Sequence, residues 1–139
     1  MNPLQPVMIG AVLALGVSAY ASWIGLDRDR AFYPTVLVVI ASYYVLFSMM
    51  AGNTSSMLPE VSIAFIFVAA AALGFRRNLW LVVAALAAHG IQDAFHGLLV
   101  INPGVPRWWP PFCMTYDLIA AGFLAMTLRR DPALSKLRA

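Results

Sequence analysis

His89, Asp93 and His96 fall within one long apolar run, residues 79–101, where ionisable side chains have no ordinary place. At about 100° per residue on a helix, Asp93 lies about 40° to one side of His89 and His96 about 20° to the other, so the three share an arc of roughly 60°. Imidazole and carboxyl groups on one stripe suit two chemistries. As proton carriers, a carboxylic acid held neutral by burial and a neutral histidine form a complementary acid and base. As ligands, the Asp93-x-x-His96 spacing sets an oxygen and a nitrogen donor one turn apart, as in carboxylate-rich bundle metal sites. Glu60 or Asp117 would then complete a zinc or iron shell. His89 and His96 are separated by about 10.5 Å along the axis, too far to share an ion, so Asp93 and His96 form the expected pair and His89 orients or relays protons from below. HxxxH and HExxH patterns are missing, and no cofactor is required by the sequence.

The other candidates come from separate stretches. At about 1.5 Å per residue, Asp93 lies about 12 Å and His96 about 8 Å from the end of their segment near Ile101, Asp117 roughly 9 Å and Cys113 roughly 3 Å into the last segment, and Tyr43 and Tyr44 about 9 to 10 Å below the end of the second. Glu60 opens the third segment. All of these depths point to one slab of the bundle, with Asp93, His96 and Asp117 lining a pocket and Glu60 at its rim. Tyr43 and Tyr44 face different sides, so at most one serves the site. Trp108, Trp109, Tyr116 and Cys113 are candidate ligand-binding residues, Phe95 and Phe112 add aromatic surface, and the rigid stretch 102–111 is placed to act as a lid.

Each residue also has a structural role to set beside the chemical one. His89 can bond a carbonyl or tyrosine across the bundle, Glu60 can favour a helix start, Cys113 can be a small buried hydrophobe, and Trp108 and Trp109 beside Arg107 can anchor an interface. Asp93 and Asp117 are harder to explain this way, because a lone carboxylate in a low dielectric must be protonated or paired.

The elements that carry these residues are long apolar segments, at about residues 7–26, 34–50, 58–75, 79–101 and 111–128, each near the roughly 17 to 25 residues that cross a hydrocarbon layer. The chain of 139 residues is 62% hydrophobic and 11% charged, against roughly a quarter charged in a soluble domain. It has too little interior to hide that much apolar surface from water. The expected fold is an all-α integral membrane protein, a single bundle of five transmembrane helices, with residues 129–139 as a short basic cytoplasmic tail. Residues 7–24 are apolar without a basic leader before them, which predicts a retained helix.

Five crossings place Arg28, Arg30, Arg76, Arg77, Arg129, Arg130, Lys136 and Arg138 on one side and Arg107 alone on the other. Since cytoplasmic connections collect the cations, the N-terminus is expected outside and the C-terminus inside, in the plasma or inner membrane. The net charge of +3 is scattered between apolar runs, leaving no basic stripe for a nucleic acid. Gly10, Ala14 and Ser18 form a small-x3-small series suited to close helix approach or a homo-oligomer seam. Cys113 is the single cysteine, so no intramolecular disulfide forms.

No G-x-S-x-G elbow, P-loop or dinucleotide glycine motif is present, which speaks against serine acyl transfer, ATP hydrolysis and nicotinamide chemistry. The expected function is a small membrane-embedded enzyme or ligand-binding protein whose His/Asp/Glu pocket isomerises, hydrates or hydrolyses a lipid-like molecule from the bilayer. A proton-coupled small-solute transporter is the alternative, although residues 79–88 offer no polar continuation of a path. A membrane anchor or assembly subunit is the third class and needs none of the acids.

Overall fold

The computed structural model describes residues 2–136. It contains five helices, α1 (Leu4–Ile24), α2 (Phe32–Met50), α3 (Thr54–Arg76), α4 (Trp80–Leu99) and α5 (Trp109–Arg130). All five are long and apolar enough to cross a membrane. Among the described residues there is no strand, only an isolated antiparallel bridge between Asn78 and Lys136.

Local chemistry moves the helix ends from where hydropathy places them. Gly25, at φ 80°, ends α1 with its N–H on the Ala21 and Ser22 carbonyls, a left-handed C-cap that glycine adopts at least cost. Asn53 caps α3 by accepting from Ser55 N and Ser56 N at 3.0 and 3.3 Å, so the helix begins at Thr54 and not near residue 58. Serines that look like turn residues therefore form its first turn, and Pro59 sits inside the helix rather than at its start. Val100 turns extended, which stops α4 at Leu99 instead of Ile101. Pro110 and Pro111 fit the first turn of α5, which begins at Trp109 and runs on to Arg130.

The helices pack in the order α1, α5, α4, α3, α2 around the bundle, with lesser contacts from α2 to α4 and α5. Consecutive in sequence, α1 and α2 are joined through the short turn Leu26–Arg28 but scarcely touch along their lengths. Gly10, Ala14 and Ser18 are buried inside the chain, and a Cβ on Gly10 would collide with the Phe112 carbonyl of α5. The small-residue series thus seats α1 on α5.

The two ends of the bundle differ. One end gathers the α1–α2 and α3–α4 connections and the segment after α5, and carries all the described basic residues except Arg107. There Arg30 donates to the carbonyls of Leu134 and Phe75, and Leu79 N donates to Ser135 O at 2.9 Å. Residues 129–136 are a continuation of α5 and a packed turn (Pro132–Ser135); Arg138 lies outside the described residues. Above this basic end the interior is apolar, with Leu37, Leu79, Val82, Leu86, Leu124 and Leu128 at its centre. The opposite end holds the α2–α3 and α4–α5 connections, and the polar interior lies towards it.

Candidate functional site

The polar residues of α4 point inward as one stripe: His89, Asp93 and His96 are all at most 3% exposed. Ile91, Phe95 and Leu98 occupy the other side of the helix and are more than half exposed. Phe95 consequently faces away from the site and contributes nothing to its walls. Because α4 lies between α3 and α5, the stripe meets an acid from each neighbour at a different level. That splits the expected single pocket into two linked nodes.

The first node, nearer the α4–α5 connection, joins His96 to Glu60 of α3, with Nε2 and Oε1 2.9 Å apart. Glu60 is 1% exposed, well inside the bundle and not at a rim, because the Asn53 cap starts α3 before residue 58. Asn102 Nδ2 lies 2.8 Å from Glu60 Oε1, 2.9 Å from Ser48 Oγ and 3.1 Å from Tyr44 O. Its two hydrogens are shared among three acceptors, while its Oδ1 accepts from Gly104 N. Ser48 Oγ and Ser56 Oγ complete the node at 2.8 Å.

The second node is one turn deeper. Asp117 Oδ2 of α5 sits 2.7 Å from His89 Nδ1, and Asp93 Oδ2 is 3.5 Å from the same nitrogen. Tyr44 donates its O–H to Asp93 Oδ1 at 2.6 Å, and Cys113 Sγ lies 3.9 Å from Asp117 Oδ2. The donor atoms of His89, Asp93, Cys113 and Asp117 all fall within 4.8 Å of one another. Tyr44 joins the nodes: its ring stacks on His96 at 3.9 Å between centroids and 12° between planes, while its hydroxyl serves Asp93.

The sequence pairs Asp93 with His96, whereas the bundle pairs Asp93 and Asp117 with His89 and gives His96 to Glu60. His89 therefore moves from an orienting position to the centre of the deeper node. Asp93 Oδ2, Asp117 Oδ1 and Glu60 Oε2 are buried without a hydrogen-bond partner. Such groups are costly to leave unsatisfied, so three orphaned carboxylate oxygens around two imidazoles point to a proton, a ligand or an ion at these positions.

An apolar cleft of about 410 Å³ approaches the deeper node from the side. It lies where α1 and α2 part, with α5 as its floor, and Val36, Ile40, Tyr43, Phe112, Cys113 and Tyr116 are among its lining residues. Tyr43 and Tyr44 do take opposite sides, Tyr43 in the cleft and Tyr44 in the polar network. Trp109 belongs to the cleft, its ring 4.6 Å from that of Tyr43, and Trp108 packs edge-on against it. The tryptophans thus flank the cleft instead of lidding the acids. A smaller recess of about 280 Å³ meets His96, Asn102 and Arg107 from the end of the bundle.

Asn102 and Ser56 are the members of the network that a reading of apolar runs does not find. Asn102 falls in an Asn-Pro-Gly stretch with the composition of a turn, and the signal that could have singled it out is an amide positioned just beyond a helix rich in buried acids and imidazoles. No family model matches this chain, and neither the curated proteins nor the solved structures contain a match to it.

Proposed function

We propose that the chain is an integral protein of the plasma or inner membrane, N-terminus outside and C-terminus in the cytoplasm, and that it is a membrane-embedded enzyme acting on a lipid-like molecule by proton transfer. The positive-inside distribution supports the orientation: all the described basic residues except Arg107 lie at one end. It sets the polar nodes in the outer half of the bilayer.

One observation carries the catalytic reading. Cys113 is both a wall residue of the apolar cleft and a neighbour of Asp117, so the cleft ends on the acid–base cluster. A molecule entering between α1 and α2 would leave its apolar body against Tyr43, Phe112 and Tyr116 and bring its polar end to Cys113 and Asp117. His89 accepts a proton from one substrate atom while the protonated Asp117 carboxyl gives one to another. The imidazolium then returns its proton to Asp117 across the 2.7 Å contact, and the pair is restored. This sequence is an isomerisation and needs no further reactant. Hydration or hydrolysis would draw water through the recess beside His96. Asp93, fixed by Tyr44, stabilises the transient imidazolium.

A conduit is less well supported, because the apolar residues around Leu37, Val82, Leu86 and Leu124 close the bundle below His89. An anchor or assembly subunit would use the interhelical bonds of Glu60, Asp93 and Asp117 but not the unpartnered oxygen on each of them. The test compares wild type with Asp117→Asn in two assays, turnover of a membrane-lipid extract in detergent and proton or solute flux in vesicles. Turnover lost in the variant, with no flux in either protein, is the expected result. Wild-type flux without turnover would refute the enzyme reading.

A further inference from the structure

We propose that His89, Asp93, Cys113 and Asp117 bind a divalent transition metal ion of the zinc class. The proposal rests on the geometry of the deeper node and does not require a lipid in the cleft; a loaded ion takes up His89 Nδ1 and Asp117 Oδ2, so the His89–Asp117 proton exchange belongs to the metal-free chain. Four-coordinate zinc has ligand bonds of about 2.0 to 2.3 Å, which set donors roughly 3.3 to 3.8 Å apart. Three of the separations in the node, 2.7 Å for His89 to Asp117, 3.5 Å for His89 to Asp93 and 3.9 Å for Cys113 to Asp117, straddle that spacing, and every pair of donors falls within 4.8 Å.

Two carboxylate oxygens, an imidazole nitrogen and a sulfur form a mixed donor set. It excludes magnesium and calcium, which take oxygen, and suits zinc and its neighbours. Asp93 supplies the second observation. Its Oδ2 is buried, has no hydrogen-bond partner and faces His89 Nδ1. Its other oxygen is already held by Tyr44, as the outer oxygen of a ligating carboxylate commonly is. One divalent ion offsets two of the three negative charges that Asp93, Asp117 and the deprotonated Cys113 bring to the buried site. On loading, a neutral His89 carries its proton on Nε2 and ligates through Nδ1, while the Cys113 proton leaves to solvent as the sulfur–metal bond forms. The Glu60–His96 node has only two such donors, and the recess beside it contains Arg107, so neither competes for the ion.

The test uses the full chain produced in cells supplied with zinc or, separately, with cobalt(II), and purified in detergent without chelator. Metal and extractable apolar molecules are measured on the same preparations. Wild type should hold stoichiometric zinc, and the cobalt form should show a thiolate-to-cobalt charge-transfer band. Cys113→Ser should lose that band, and Asp117→Asn should retain at least about 10-fold less metal. Glu60→Gln should retain the wild-type amount. Cys113→Ser changes one buried atom, so the spectral arm survives should the acid variants fail to fold. Wild type free of stoichiometric metal, or a cobalt form without the band, would overturn the site. If that metal-free protein still carries an apolar molecule, the metal proposal fails alone and the cleft reading stands.

Discussion

Replacing Tyr44 with Phe isolates a single bond of the network. The substitution keeps the ring stacked on His96 at 3.9 Å and deletes the 2.6 Å O–H donor to Asp93 Oδ1. Asp93 Oδ2 already lacks a hydrogen-bond partner, so the variant leaves both oxygens of a 1% exposed residue without one. Hydrogen bonds to charged groups in soluble proteins contribute about 1.5 to 3 kcal/mol. Interhelical bonds in membrane bundles average only about 0.6 and reach about 1.7 kcal/mol, because the unfolded helices find other partners in the membrane. With His89 Nδ1 3.5 Å from Asp93 but closer to Asp117 at 2.7 Å, Tyr44→Phe should fall near the top of the membrane range, about 1 to 1.7 kcal/mol, or roughly 5- to 20-fold in the unfolding constant. Equilibrium unfolding in mixed micelles measures it. Since Leu at position 93 cannot accept the bond, Tyr44→Phe in an Asp93→Leu background should cost little. A coupling below about 0.3 kcal/mol in that double-mutant cycle would show that Tyr44 does not hold Asp93.

Three further outcomes are expected. Gly10→Ala forces a Cβ against the Phe112 carbonyl and should destabilise by about 1 to 3 kcal/mol; Gly16→Ala, with open space around it, should be neutral or stabilising by up to about 1 kcal/mol in thermal unfolding. Asn102→Asp replaces the amide donor beside Glu60 by a second carboxyl and should lower the detergent-solubilised melting temperature more than Asn102→Ala does. Reporter fusions after Met50, Phe75, Ile101 and Ala139 should read outside, inside, outside and inside; the same side for the first two would overturn the five-crossing topology.

The architecture was legible because lipid-length apolar runs and their polar breaks carry it directly. Glu60, His89, Asp93, His96 and Asp117 were legible because each is an ionisable residue within or at the edge of an apolar run. Their pairing was not, and the cause is a small error in helix ends. Placing the ends near residues 101 and 111 sets Asp117 opposite residue 95, beside His96. In the structure α4 ends at Leu99 and α5 begins at Trp109, so Asp117, eight residues and about 12 Å into α5, lies opposite Ile91 and between His89 and Asp93. Local capping by Asn53, Pro110 and Pro111 thus decides which histidine meets which acid, and hydropathy does not register it. The lateral cleft was invisible for another reason: it exists because α1 packs on α5 instead of its sequence neighbour α2, a choice set by the close contact at Gly10.

If the cleft delivers an apolar molecule to the His89–Asp117 pair, filling it by Val36→Trp should stop that delivery. Val36 lines the cleft and takes no part in either polar node, so an indole there should fill the space without altering the acids. Mass spectrometry of extracts from purified wild type and variant reads the outcome. An apolar molecule should be enriched in wild type and depleted in Val36→Trp, with turnover of the lipid extract falling in parallel and folding retained. A folded variant with the same bound molecules and the same turnover as wild type would contradict that delivery.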